Sequence, residues 1–172
     1  MSDSQPVPSP SASLQEIVRA ELEETRSDFL ALLASLSESD LQQKSVMSAW
    51  TVKELLVHIV FWLRQTPGVV RVVRTGWGIR KIPTSLFDWL NLWLTRLAAW
   101  RQSRQSILAR YERAYQATLR LVEGIGTEEW NKGAFFGGPF HGEYRTIEII
   151  IRSHRTHFQQ HAAEIRQSLS RP

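Results

Sequence analysis

The chain has no cysteine in its 172 residues. This excludes a disulfide framework, thiolate metal ligands and a thiol nucleophile carried by the protein itself. Any metal site must therefore be built from histidine and oxygen donors, and the composition fits a reducing compartment. Long apolar runs are also missing. A membrane-spanning helix needs about 18 or more apolar residues in a row. The richest stretch, 86–100, is interrupted by Asp88, Asn91, Thr95 and Arg96. Residues 1–10 lack the basic and apolar blocks of a secretory leader. There is no Gly-x-Ser-x-Gly, and Gly137-Gly138-Pro139 is not followed by the Lys-Ser/Thr of a phosphate loop. No internal repeat and no closely spaced carboxylate pair stand out. The expectation is a soluble, cytoplasmic protein of one domain, long enough to bury its own core.

Charge is present but unevenly spread. Residues 1–60 carry nine acids and four bases, residues 61–122 two acids and eleven bases, and residues 123–172 six of each. A net of +4 thus conceals a −5 start and a +9 middle. Seventeen of the 21 bases are arginine, the residue suited to fixed, two-pronged contacts with carboxylate or phosphate. A solvated helix face explains such a segment, and so does a basic wall beside a pocket.

Hydrophobic spacing is helical almost throughout. Residues 1–12 are a Ser/Pro-rich lead-in expected to be disordered, and residues 13–170 form the domain. A first helix is expected over 13–36, with Ser37, Ser39 and Asp40 capping a short turn after it. The second starts at Thr51, which with Glu54 forms a capping box. It carries Val52, Leu55, Leu56, Ile59, Trp62 and Leu63 on one face and is expected to end at Pro67-Gly68. A basic connection, 69–83, follows, with room for a short extended piece. From Ser85 another stripe runs through Leu86, Leu90, Trp93, Leu94, Leu97, Trp100, Leu108, Tyr111, Tyr115, Leu119 and Val122. Unbroken it would span about 55 Å at 1.5 Å per residue, too long for this chain. The polar patch 101–106 either bends it or separates an insert helix from a bundle helix. Tryptophans at stripe positions are expected in the core. After a glycine- and aromatic-rich loop, 127–144, a last helix covers 145–169. The fold class is all-α, a four-helix bundle with an insert between its second and third helices.

Histidine supplies the candidate chemistry. His157 and His161 lie four residues apart on the edge of the last helix's apolar stripe, so both rings can enter one cavity. His58 lies at the edge of the second helix's stripe and can complete a three-nitrogen set. An isolated pair at this spacing is more often two histidines held by ordinary hydrogen bonds than a metal site. Three neutral imidazoles would suit zinc, nickel or iron and leave positions open for water or substrate. His154 stands close enough to compete as a ligand, and His141 lies in the preceding loop. Glu54, one turn before His58, is a candidate for a base or for a hydrogen bond from that ring, besides its capping role. Tyr111 and Tyr115 can bring hydroxyl groups to the interior. Trp77, Arg64 and Arg74, in or beside the basic connection, are the candidates for holding a substrate with an anionic group.

Two segments carry a family resemblance. Residues 48–62, Ser-Ala-Trp-Thr-Val-Lys-Glu-Leu-Leu-Val-His-Ile-Val-Phe-Trp, resemble the start of the second helix of the DinB-like superfamily. Residues 156–166, Thr-His-Phe-Gln-Gln-His-Ala-Ala-Glu-Ile-Arg, resemble its last helix, closest to the ClbS/DfsB branch. Ser153 and His154 stand where that branch often has Asn-Thr. The resemblance implies a divalent-metal triad of His58, His157 and His161. It also implies chemistry on small, toxic or electrophilic compounds, either thiol-dependent transfer or isomerisation, or hydrolysis as in a genotoxin-protecting member. The alternative is a non-catalytic protein that sequesters such a compound. With no cysteine, any thiol must come from a low-molecular-weight co-substrate. A homodimer is a further expectation, since Trp and Phe around 87–100 can cover a partner. Neither nucleic acid nor membrane is an expected partner.

Overall fold

The computed structural model describes residues 13–45, 47–76, 84–136 and 143–170. The expected lead-in, Trp77 and His141 lie outside the described residues. Six α-helices occur among the described residues: α1 (Leu14–Ser35), α2 (Glu38–Gln42), α3 (Val52–Arg74), α4 (Thr84–Trp100), α5 (Arg104–Glu123) and α6 (Ile147–Leu169). A 3-10 turn (Thr127–Glu129) and two short strands, β1 (Gly133–Phe135) and β2 (Tyr144–Thr146), join α5 to α6.

Side-chain caps set where the helices begin. The hydroxyls of Ser13, Ser37, Thr51, Ser103 and Thr146 accept hydrogen bonds from backbone N–H groups in the first turns of α1, α2, α3, α5 and α6. In α1, α2 and α3 an acid three residues later bonds back to the cap, satisfying a second orphan donor. Ser103 explains why the long stripe is two helices. Its cap starts α5 just after the polar patch, so α4 is a separate insert helix.

The helices α1 and α3 each pack against both α5 and α6, which makes these four the bundle. The fold class expected from the sequence is therefore observed. The core joins Phe29 of α1, Leu55 and Leu56 of α3, Ile107 of α5, and Ile147, Ile151 and Ile165 of α6, all fully buried. Phe29 stacks flat on Tyr111 with ring centres 3.8 Å apart.

Three expectations need correction. The helix from Thr51 does not end at Pro67-Gly68, because α3 runs on to Arg74 with Pro67 inside it. Thr66, Val70 and Val73 are buried beyond Leu63, and their burial outweighs the backbone bond that proline cannot make. The helix stops at Gly76 instead, whose φ of 72° is the left-handed conformation of a C-terminal glycine. Secondly, residues 69–74 of the basic connection are the helical end of α3, while 77–83, where the short extended piece could also fall, lie outside the described residues. The extended backbone is at β1 and β2, paired antiparallel with Gly133 opposite Thr146. Gly133 is required there: a Cβ would come within 2.6 Å of the Arg145 carbonyl oxygen. Thirdly, the stripe of α4 is not core. Trp89, Trp93 and Trp100 are exposed, because α4 lies outside the bundle and packs mainly on α3.

Candidate metal centre

His58 sits in the second turn of α3, and His157 and His161 lie one turn apart on α6, the helix packed beside it. The structure brings these three residues together. The Nε2 atom of His157 is 3.2 Å from Nε2 of His58 and 3.2 Å from Nε2 of His161. One ring nitrogen from each of the three lies within 4.8 Å of the others. The rings of Trp50 and Trp62 flank the cluster, their centres 4.5 Å and 6.1 Å from that of His58.

Burial keeps the imidazoles of His58 and His157 neutral. His58 is only 5% exposed, and burial, helped by its two histidine neighbours, lowers its pKa to about 3. Burial and the adjacent His161 lower His157 to about 3 as well. Their lone pairs are therefore free at neutral pH.

The outer nitrogens are held differently. Nδ1 of His161 donates to Oε2 of Glu164 at 3.1 Å, which leaves its Nε2 facing the cluster. Burial tends to raise the Glu164 carboxyl. Hydrogen bonds from Ser45 and His161, with the Ser48 hydroxyl close by, outweigh it and leave Glu164 below the usual carboxylate range. Ser45 Oγ donates to the second oxygen, Oε1, and accepts from the backbone N–H groups of Met47 and Ser48. Its loop is pinned by the Lys44–Thr51 bridge, and Gln43 Nε2 donates to the Ser168 carbonyl of α6. By contrast, Nδ1 of His58 is buried and closes no hydrogen bond, with the Asn91 side chain of α4 beside the ring.

The geometry fits a divalent ion. Two nitrogens bound tetrahedrally at 2.0–2.1 Å would lie about 3.3 Å apart, close to the two separations found here. A single Nε2–H on His157 could be aimed at only one of its two neighbours, whereas one divalent ion can take a lone pair from all three rings. Glu164 adds the carboxylate partner that metal-bound histidines commonly have.

The other sequence candidates lie as follows. Oε2 of Glu54 accepts from its cap, Thr51 N–H, at 2.7 Å, and Oε1 is 3.8 Å from Arg96 Nε, so capping and an ion pair occupy it. Tyr111 is buried against Phe29, and burial pushes its phenol pKa up. It helps to wall a small cavity, with Leu22, Leu63, Tyr115, His154 and Phe158, that reaches His157. His154 bonds to Thr66 Oγ1 through Nε2, and burial lowers its pKa to about 4. Arg64 is exposed on α3. Arg74 bonds to the Gly124 carbonyl and to Glu129, tying the end of α3 to the turn after α5. Sequence reasoning missed Glu164, Ser45 and Asn91. The signal for Glu164 was present, since an acid three residues after His161 faces the same side of the helix.

No curated protein sequence matches the chain significantly. Solved structures share its fold at low identity. YfiT from Bacillus subtilis, described as a probable metal-dependent hydrolase with an unusual four-helix bundle topology, superposes with a TM-score of 0.70. It is 16% identical, over 96% of this chain and 91% of that one. The colibactin self-resistance protein ClbS, solved in complex with double-stranded DNA, gives a TM-score of 0.68 at 14% identity, over 94% and 98%. A mycothiol-dependent maleylpyruvate isomerase gives 0.68 at 9% identity, over 90% of this chain and 63% of that one. The family model of the DinB superfamily matches residues 21–165, most of the chain with His58, His157 and His161 inside it, and the protein belongs to that superfamily.

Proposed function

We propose that the protein is a metal-dependent enzyme acting on a small, electrophilic compound, with a divalent ion on His58, His157 and His161. The observation that carries this reading is the convergence of three imidazole nitrogens, two pairs of them 3.2 Å apart. When bound, zinc, nickel or iron would supply Lewis acidity toward a substrate atom, a water or a thiol. The chain's own residues do the rest. Glu164 orients His161, and the rings of Trp50 and Trp62 shield the cluster on the side of His58.

Both thiol transfer or isomerisation and hydrolysis are within reach of such a site. Without a cysteine, a transferred sulfur must arrive on a low-molecular-weight thiol. YfiT and the mycothiol-dependent isomerase support these two chemistries as neighbours in fold. The test is consumption of a panel of electrophilic compounds, with and without added thiol, by ion-loaded and chelated protein. Turnover that needs the ion and is lost in His157→Ala is expected. Stoichiometric binding that survives replacement of all three histidines would replace the enzyme with a sequestering protein. Tight binding to duplex DNA that weakens steeply with salt would move the role to the +9 segment.

A further inference from the structure

Of the three clustered rings, His58 has an outer nitrogen that is still unmatched. His161 gives its Nδ1–H to Glu164, whereas Nδ1 of His58 is buried and closes no hydrogen bond. A neutral imidazole has one N–H, and the partner of one nitrogen decides which of the two carries it. For His58 to aim an Nε2 lone pair at the cluster, Nδ1 must keep the proton. A buried N–H then needs an acceptor.

Helix α4 supplies one. Arg96 donates through Nη2 to the Ala49 carbonyl at 2.9 Å, and its Nε lies 3.8 Å from Oε1 of Glu54. These contacts fix α4 over the first turn of α3. Asn91 lies five residues before Arg96, and His58 four residues after Glu54. At 1.5 Å per residue these steps are about 7.5 Å and about 6 Å. The two helices run in opposite directions, and Asn91 falls level with His58. Further along the same face of α4, at steps of four residues, come Thr95 and Ala99, 5% and 1% exposed. Asn91 is thus a polar residue on the inner face of the helix, beside the ring. Its hydrogen bonding favours the protonated form of His58, which is the sign of an amide oxygen turned to an N–H.

We propose that Asn91 is a positioning residue of the metal centre: its side-chain oxygen accepts from Nδ1–H of His58 and so points the Nε2 lone pair of that ring at the cluster. The role, though not the contact itself, rests on an ion held by the three histidines. The outer nitrogens of His161 and His58 are then held alike, one by Glu164 of α6 and the other from outside the bundle by α4. The insert helix becomes part of the site. By reciprocity, ion binding and the seating of α4 on α3 strengthen each other. A residue that merely fills space fits less well, because leucine would fill the same place without setting a polar group against a buried nitrogen.

The test uses the full chain without a histidine tag as wild type, Asn91→Leu and Asn91→Asp, each checked for unchanged helicity by circular dichroism. Imidazole nitrogen NMR of the metal-free protein at neutral pH reads the tautomer, and competition with a chelating dye reads zinc affinity. Wild type and Asn91→Asp are expected to carry the His58 proton on Nδ1. Asn91→Leu is expected to move it to Nε2 and to weaken zinc binding by about 10- to 100-fold, with Asn91→Asp at or above wild-type affinity. A side chain that only packs gives the opposite order, since leucine packs well there and aspartate adds a charge. If Asn91→Leu fails to fold, Asn91→Ala removes the same acceptor. A wild-type His58 protonated on Nε2 overturns the proposal. So does an acceptor-less variant with wild-type tautomer and zinc affinity. Wild type that binds no zinc yet shows the Asn91-dependent tautomer overturns the metal reading alone and supports the contact.

Discussion

His161 shows most directly how one residue is prepared for its role. Its Nδ1–H goes to Glu164, whose other oxygen is held by Ser45, so the ring can turn neither its face nor its tautomer without breaking that chain. Glu164→Gln should therefore leave the fold intact while weakening divalent-ion affinity by about 10- to 100-fold, read by competition with a chelating dye. Unchanged affinity would remove Glu164 from the site. His154 makes a separate prediction. Its folded pKa of about 4 lies below the usual 6.5, so the unfolded chain binds more protons between those values. Stability of metal-free protein should fall as pH drops from about 6.5 to about 4, by up to about 1.4 kcal/mol per unit from this residue. Urea titrations should show a shallower pH slope for His154→Leu, and equal slopes would contradict it. The sequence revealed the histidines because helical spacing places their rings without any knowledge of neighbours. Ser45 and Asn91 were invisible, since a loop and an outside helix bring them to the cluster, and neither position follows from local periodicity.

Element by element, local caps were legible and terminators less so. Thr51 and Glu54 form the expected box at the start of α3, so Thr51→Ala should cost about 1 kcal/mol, measured by chemical denaturation. Pro67 misled because a proline usually ends a helix, whereas here the buried Val70 and Val73 carry the helix past it. This has a measurable consequence. Pro67→Ala adds a backbone bond inside α3 and should raise stability by about 1–2 kcal/mol. Gly76→Ala forces an unfavourable φ at the true terminus and should lower it by about 1 kcal/mol. The opposite pair of signs would restore the ending at Pro67. The stripe of α4 misled for another reason: periodicity says that a face is apolar, not what covers it. Three of the seven tryptophans lie on that uncovered face.

For the molecule as a whole, the four-helix architecture was legible because each bundle helix declares one apolar face and a cap, and four such faces have few ways to close. The crossing that pairs α3 with α6 was not legible from composition, yet it is what turns two ordinary histidine positions into one cluster. Among the described residues no helix is long and apolar enough to cross a membrane. The charge asymmetry is partly absorbed internally, with Arg74 on Glu129 and Arg104 beside Glu38. Because the ion would bind folded chain in preference to unfolded, its addition should raise the melting temperature, with a stabilisation near 2.7 kcal/mol at 100 times the dissociation constant. The central claim is that His58, His157 and His161 hold one divalent ion. Metal analysis of protein purified without a histidine tag, before and after loading with zinc or nickel and dialysis, tests it most directly. One ion per chain, lost in folded His157→Ala, is the predicted result. A stoichiometry near zero after loading, or an ion retained by the triple histidine variant, would contradict it.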